Sequence, residues 1–365
     1  MQNLFSGIYK DKVVLITGHT GFKGSWLACW LIQMGAKVVG YSLEAPTDPS
    51  HIELLNFDIV SVIGDIRDQD KLDKTFEEYK PDIVFHLAAQ PLVRLSYENP
   101  IDTYETNVIG TLKVLEASRK YDVKAIVNIT SDKAYENQEW IWGYRENDPL
   151  GGYDPYSSSK GCADLLANSY RNSYFNIKDY KKSHNTLLAS CRSGNVIAGG
   201  DWARDRLIPD IMVSVSQNKK VNIRNPKATR PWQHVLEPLS GYLQIGQKLL
   251  EEKVEFGGAW NFGPSDEGSI SVEEVVENVK NYWDKIDYKI DEDLNQLHEA
   301  SLLKLDCSKA HTILKWQAVW DNQTTFEKTV KWYKAFYEEQ KILTKFDLQE
   351  YIESASAKGL TWTKN

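Results

Sequence analysis

The sequence predicts an α/β protein: a Rossmann-type doubly wound parallel sheet with a smaller, mostly helical C-terminal lobe. Three observations carry that expectation. Short apolar runs alternate with amphipathic stretches through the first half of the chain. A glycine-rich turn joins the first apolar run to the first helix. After Arg192 the alternation gives way to loop signals and then to helical patterns. Short apolar strands separated by helices imply a parallel sheet covered on both faces. Right-handed crossovers then place a ligand crevice at the carboxyl ends of the strands.

Each element has its own warrant. Residues 13–16 are a buried strand, followed by Thr17-Gly18-His19-Thr20-Gly21-Phe22-Lys23-Gly24 and a helix closed by Gly35. Residues 37–41, 59–65, 82–88, 125–130 and 186–191 supply the second to sixth strands. Residues 105–120 are an amphipathic helix with Val108, Leu112, Leu115 and Ala117 near one side. Residues 155 to about 172 read as a long helix, and a helix near 237–250 with a strand near 259–262 returns to the sheet. The expected division is residues 1–193 plus about 235–262 for the sheet unit, and about 194–234 plus 263–365 for the smaller lobe. The polar stretch 350–365 is expected to be loosely held.

Composition narrows the function. With 43 basic and 51 acidic residues the net charge is −8, which argues against a generic nucleic-acid surface. Cys29, Cys162, Cys191 and Cys307 are far apart and read as reduced, packed thiols. No apolar run approaches the ~18–20 residues needed to span a bilayer, and the N-terminus lacks a signal-peptide pattern. The expectation is a cytoplasmic protein. No His/Cys/Asp grouping has metal-ligand spacing.

The glycine turn has the spacing G-x-x-G-x-x-G. Glycines there allow a tight turn and close backbone approach to a pyrophosphate, whose oxygens meet the helix N–H groups. Tyr156 and Lys160 lie at i and i+4 on one helical face. A free tyrosine has a pKa of ~10. A nearby ammonium lowers it, and the phenolate can then take a proton from an alcohol. Ser131, 25 residues upstream, stands at a strand end in Thr130-Ser131-Asp132-Lys133. Its hydroxyl can share the bond to the substrate oxygen. His86 reads as a strand histidine with a local hydrogen bond.

Together Gly18, Gly21, Gly24, Ser131, Tyr156 and Lys160 resemble the extended short-chain dehydrogenase/reductase superfamily over nearly the whole chain. Within it, four segments resemble the nucleotide-sugar 4,6-dehydratases that act on CDP-glucose: the glycine turn through Leu27, Thr130 to Asn137, Gly194 to Trp202, and Arg230 to Leu239. The resemblance implies a lyase that moves a hydride from C4 to C6 through NAD and expels water. It places the product in deoxysugar and surface polysaccharide (O-antigen) synthesis. It assigns Ser131, Asp132, Lys133, Tyr156 and Lys160 to catalysis. Tyr156 deprotonates the C4 hydroxyl, Asp132 is the acid toward the C6 oxygen and Lys133 the C5 base, the reverse pairing remaining open. Relatives that act on dTDP-glucose carry glutamate where Lys133 stands.

For NAD the resemblance implies Gly18, Thr20, Gly21, Phe22, Lys23, Gly24, Asp65, Ile66, Leu87, Ala88, Ala89, Gln90 and Thr130, with Tyr156 and Lys160. No acid stands at the end of the second strand to settle NAD against NADP. Asn107 is expected to hold a helix in register. For the nucleotide sugar the leading contacts are Asn195, Arg206 and Arg230, because guanidinium groups pair with diphosphate. A second diphosphate arginine seen in relatives near Leu297-His298-Glu299-Ala300 is missing. Cytosine selection is expected between Ile208 and Asn225. A homodimer through the helices 105–120 and 155–172 is implied, with higher oligomers open. An epimerase, a dehydratase for another nucleotide sugar, or a non-catalytic dinucleotide-binding scaffold are the competing readings. The Asp132-Lys133 pair disfavours the epimerase, and the joint presence of Ser131, Tyr156 and Lys160 disfavours the scaffold.

Overall fold

The computed structural model describes residues 1–223, 226–264, 269–290 and 302–364. The segment at 297–300, where the second arginine is missing, lies outside these residues. So does the end of the stretch expected to select cytosine. The strands are β1 (Val13–Thr17), β2 (Lys37–Ser42), β3 (Val60–Ile63), β4 (Ile83–His86), β5 (Ala125–Ile129), β6 (Leu187–Ser193), β7 (Asn195–Ile197), β8 (Val221–Ile223), β9 (Thr229–His234), β10 (Ala259–Phe262), β11 (Ser269–Ser271) and β12 (Tyr288–Ile290). The helices are α1 (Phe22–Gln33), α2 (His51–Leu55), α3 (Gln69–Tyr79), α4 (Val93–Glu98), α5 (Pro100–Tyr104), α6 (Thr111–Lys120), α7 (Pro155–Ser173), α8 (Leu207–Ser216), α9 (Leu236–Leu250), α10 (Val272–Lys280), α11 (Asn322–Glu339) and α12 (Thr344–Ala357).

Seven strands form one sheet in the order β3-β2-β1-β4-β5-β6-β10. Every pairing in it is parallel. Two smaller sheets, β11-β9-β7 and β12-β8, lie outside it. The order reverses between β1 and β4, and the crevice of a doubly wound sheet opens at such a switch.

Strand alternation divides the core. Leu15, Val39, Val84, Ile126 and Leu188 pack with Phe76, Leu115 and Ala167 from α3, α6 and α7. Val14, Ile16, Val38, Ile83, Phe85 and Val127 face the other way, against Trp26, Leu27 and Trp30 of α1 and Leu239 and Leu243 of α9. Because successive side chains on a strand point to opposite faces, both layers must be apolar, which is why the strands read as continuous apolar runs.

Two local expectations need correction. The helix expected over 105–120 opens with a π-helical turn, Glu105–Gly110, before α6. The extra residue per turn rotates the face: Val108 and Leu112 are half-buried, while Asn107, Gly110, Val114 and Leu115 are buried. The stretch ahead of it holds α4 and α5, two short helices without a long apolar period. The polar tail is not loose. In α12 Tyr351, Ile352 and Ala355 recur on one buried face, followed by buried Leu360 and Trp362. Trp362 stacks on Phe5 at 5.1 Å and meets Trp30 edge-on at 5.6 Å. A few apolar residues at helical spacing outweigh the polar count around them.

Candidate active site

One cavity of about 1130 Å³ opens at the switch point. Every residue assigned above to cofactor, substrate or catalysis lies on its wall. Single-ligand sites run to ~300–1,000 Å³, so the space suits two ligands side by side.

The β1 side of the cavity is made of backbone. Gly18 ends β1 with φ +78°, and a Cβ there would lie 2.8 Å from the Ala88 nitrogen. A Cβ on Gly24 would lie 2.1 Å from the Gly18 carbonyl oxygen. Gly21 opens α1 with no side-chain cap, leaving the first-turn N–H groups aimed at the cavity. A dinucleotide pyrophosphate fits this cradle, since both the space and the free donors would be lost to larger residues. His19 is buried and ties the turn to Ser42 (3.0 Å) and Ser61 (2.7 Å); burial pushes its pKa down to about 4, so it serves as a neutral strut. Thr20 bonds Ser42 at 2.8 Å. Across the switch, the Thr17 hydroxyl accepts from the Leu87 and Ala88 N–H groups, each at 3.2 Å. It also shares a bond with His86 at 2.7 Å, and Thr111 holds the other His86 nitrogen.

At the far end of this wall Asp65 is gripped by Arg67 (2.6 Å), whose hydrogen bonds hold the carboxyl below its usual range. Arg67 continues to Asp102 at 2.7 Å. Ile66 is buried against Gly110, which explains the small residue there. Asn107 exchanges two bonds with the Gln90 backbone, at 2.8 and 3.0 Å, and donates to Ser159 at 2.8 Å. It links the strand end, the π turn and α7, a structural role.

The β5–β6 side is made of ionisable side chains. Asp154 caps α7 by accepting from the Ser157 N–H at 2.9 Å, and Pro155 sets its first turn. Tyr156 and Lys160 then project to the cavity. Burial pushes the Tyr156 phenol up to about 12; its hydrogen bond with Ser131 and the charge of Arg206 oppose it. Lys160 is held against the end of β5. Its ammonium donates to the Ile129 carbonyl at 3.2 Å, and burial lowers its pKa to about 8. The charge of Arg206 acts on the phenol from the outer side of the cavity. One turn after Lys160, Asp164 forms a fully buried ion pair with Arg192 (2.7 Å) and accepts the Thr130 hydroxyl at 2.8 Å.

Ser131 donates to the Asp132 carboxylate at 2.9 Å, and the Lys133 N–H donates to the same oxygen at 2.8 Å. Burial raises the Asp132 pKa, opposed by Lys133 and Lys23. A raised pKa makes the protonated carboxyl easier to reach and suits the group to act as an acid. Lys133 is half-buried on the same wall. On the outer side, Arg206 is anchored by Asp201 at 2.8 Å, and Asn195 and Arg230 line the cavity. Ser193, Tyr242, Asp164, Arg192 and Arg67 escaped the sequence reading, because nothing in local spacing marks them. Among the described residues no group of three or more His, Cys, Asp or Glu could hold a metal, and no helix is long and apolar enough to cross a membrane.

Comparison with known proteins fits this geometry. Residues 15–331 match the family model described as GDP-mannose 4,6 dehydratase. The chain is 54% identical over 354 residues to a CDP-glucose 4,6-dehydratase of Salmonella typhimurium, covering 95% of this chain and 98% of that one. Two solved structures share the fold. A UDP-glucose-4-epimerase from Stenotrophomonas maltophila with bound NAD and formylated UDP-arabinopyranose matches 90% of this chain and 99% of its own, with TM-score 0.77 and 22% identity. A dTDP-glucose 4,6-dehydratase from Bacillus anthracis in complex with NAD matches 90% and 98%, with TM-score 0.72 and 23% identity.

Proposed function

Since the chain belongs to the GDP-mannose 4,6 dehydratase family, we propose that it is an NAD-dependent lyase converting CDP-glucose to CDP-4-dehydro-6-deoxyglucose and water. The observation that carries the reading is the pairing of a tyrosine–serine alcohol site with a separate buried carboxyl, Asp132, on one wall of the same cavity. Redox at C4 needs the first; loss of water needs the second. The nucleotide is inferred from the Salmonella relative.

When bound, NAD accepts hydride from C4 and returns it to C6. Gly18, Gly21 and Gly24 would hold its pyrophosphate, with Thr20, Phe22 and Lys23 beside them. Asp65 and Ile66 would meet the adenosine, and Leu87 to Gln90 with Thr130 would border the nicotinamide half. Tyr156 takes the C4 hydroxyl proton, with Ser131 sharing the oxygen and Lys160 and Arg206 supplying positive charge. The C5 proton, acidified by the 4-keto group, passes to Lys133. Asp132 protonates the C6 oxygen, which leaves as water. Asn195, Arg206 and Arg230 hold the diphosphate. In this reading residues 1–193 plus about 235–262 form the NAD unit, and 194–234 plus 263–365 the nucleotide-sugar lobe. The exposed Ile101, Ile109 and Leu165, beside or on α5–α7, favour a homodimer. We place the protein in the cytoplasm, in deoxysugar and surface polysaccharide synthesis.

The test is incubation with CDP-, UDP-, dTDP- and GDP-sugars, with and without NAD, followed by mass spectrometry. Loss of one water from CDP-glucose alone is expected. The same loss from a different sugar overturns the base assignment, and an unchanged mass with a new stereoisomer makes the protein an epimerase.

A further inference from the structure

Lys23 belongs by sequence position to the cofactor turn, yet its side chain leaves it. From the first turn of α1 it reaches under the strand ends, and its ammonium donates to the Ser193 hydroxyl at 2.9 Å. Ser193, the last residue of β6, shares a 2.7 Å bond with the Tyr242 hydroxyl from α9. The ammonium also stands 5.9 Å from the centre of the Tyr242 ring. The next residue, Gly194, lies against Asp132: a Cβ there would be 3.0 Å from the outer carboxylate oxygen. Lys23 and Asp132 thus sit on adjacent residues of one strand end.

Charge placement singles out this pairing. Of the cations at this end, Arg206 has Asp201 and Lys160 is backed by Asp164. Asp132 is the carboxylate whose field reaches Lys23, while Lys160 and Arg206 repel it. Asp132 in turn faces Ser131 and Lys133 on its own segment, Lys23 from α1, and the phenols of Tyr156 on α7 and Tyr242 on α9.

We propose that Lys23 is a positioning residue for the dehydration half of the reaction, holding a cation beside Asp132 so that its carboxylate is stabilised once the proton has gone to the C6 oxygen. The inference rests on the function proposed above. In the step concerned the C5–H bond breaks and its proton passes to the lone pair of Lys133, acting as the neutral amine and becoming the ammonium. The electron pair forms the C5–C6 double bond, the C6–O bond breaks, and the oxygen leaves as water with the Asp132 proton. A negative charge then appears on a buried carboxylate, where a nearby ammonium acts most strongly. Burial lowers the Lys23 pKa to about 7, so the cation itself fades above neutral pH.

The experiment compares the parent protein with Lys23→Met, Lys23→Arg and Ser193→Ala. Without substrate, the infrared carbonyl band of protonated Asp132, assigned by its loss in Asp132→Asn, is followed against pH. Lys23→Met should move its midpoint up by about one unit, the usual scale for losing one nearby opposite charge. Lys23→Arg should restore it, and Ser193→Ala, which unhooks the ammonium and also removes the partner of the Tyr242 hydroxyl, should move it part of the way. With CDP-glucose and NAD, Lys23→Met should still form reduced nicotinamide while water loss slows at least tenfold. An unmoved midpoint, or C4 oxidation and water loss falling together, overturns the proposal. If Lys23→Met does not fold, the Ser193→Ala midpoint decides. The infrared arm needs no substrate, so a parent protein that leaves CDP-glucose untouched counts against the proposed function and not against the Lys23–Asp132 pairing.

Discussion

The two walls of the cavity are built from different materials. The β1 wall is peptide backbone: Gly18 against Ala88, Gly24 against the Gly18 carbonyl, and the uncapped start of α1. The β5–β6 wall is side chain and charge: Asp132, Tyr156, Lys160, Lys23 and, behind them, the Asp164–Arg192 pair. The first cannot accept an added atom at Gly18 or Gly24; the second can accept a change of shape more readily than a change of charge. Substitutions should therefore separate binding from chemistry.

The largest separation is expected from Tyr156→Phe. It removes one oxygen from the charged wall and should cut turnover by ~10³-fold, measured as water release, with the thermal midpoint and NAD affinity unchanged. A matching fall in NAD affinity would join the two walls. Next is Asp164→Asn, which leaves Arg192 unpaired in the core. Loss of about 3–4 kcal/mol in urea unfolding is expected. A loss below about 1 kcal/mol would mean that the Tyr135 hydroxyl and the Glu146 carbonyl hold Arg192 without it.

Lys160 gives a pH test. Burial lowers its folded pKa from 10.5 to about 8, so the fold disfavours its charged form. Its contribution to stability is full above pH 10.5 and is lost as pH falls to about 8. Lys160→Met should remove that slope, gaining on the parent by on the order of 3 kcal/mol across the window, read from urea midpoints. The backbone wall gives the smaller effects. Gly24→Ala should weaken NAD by ~10²-fold through displacement of the turn, seen by fluorescence titration. At Gly21 a Cβ would meet the Gly18 oxygen at 3.4 Å, an ordinary contact. Gly21→Ala should leave unfolding within about 0.5 kcal/mol of the parent and reduce NAD affinity less than Gly24→Ala does.

The same contrast explains what could be read before the structure. A backbone wall needs glycine at fixed spacing and an apolar run before it, both local, so Gly18, Gly21 and Gly24 stood out. Tyr156 and Lys160 stood out because a helix repeats every 3.6 residues. Ser193 and Tyr242 did not: they meet across 49 positions and have no repeat to betray them. The π turn before α6 was invisible for a related reason, since it is held by Asn107 bonding Gln90 and Ser159 on two other elements. The polar tail was misjudged from composition, although Tyr351 and Ala355 already marked its buried face.

The contact of Phe5 and Trp30 with Trp362 also has a bearing on biosynthesis. The outer side of α1, the helix that begins at the glycine turn, is roofed by residues from the far end of the polypeptide. While the chain is being made, the sheet strands can pair in order, but the side of Trp30 that meets Tyr351 and Trp362 stays uncovered until those residues arrive. A ribosome-tethered intermediate would therefore expose an aromatic patch beside a nearly finished sheet, a surface of the kind that chaperones bind and that aggregation begins from.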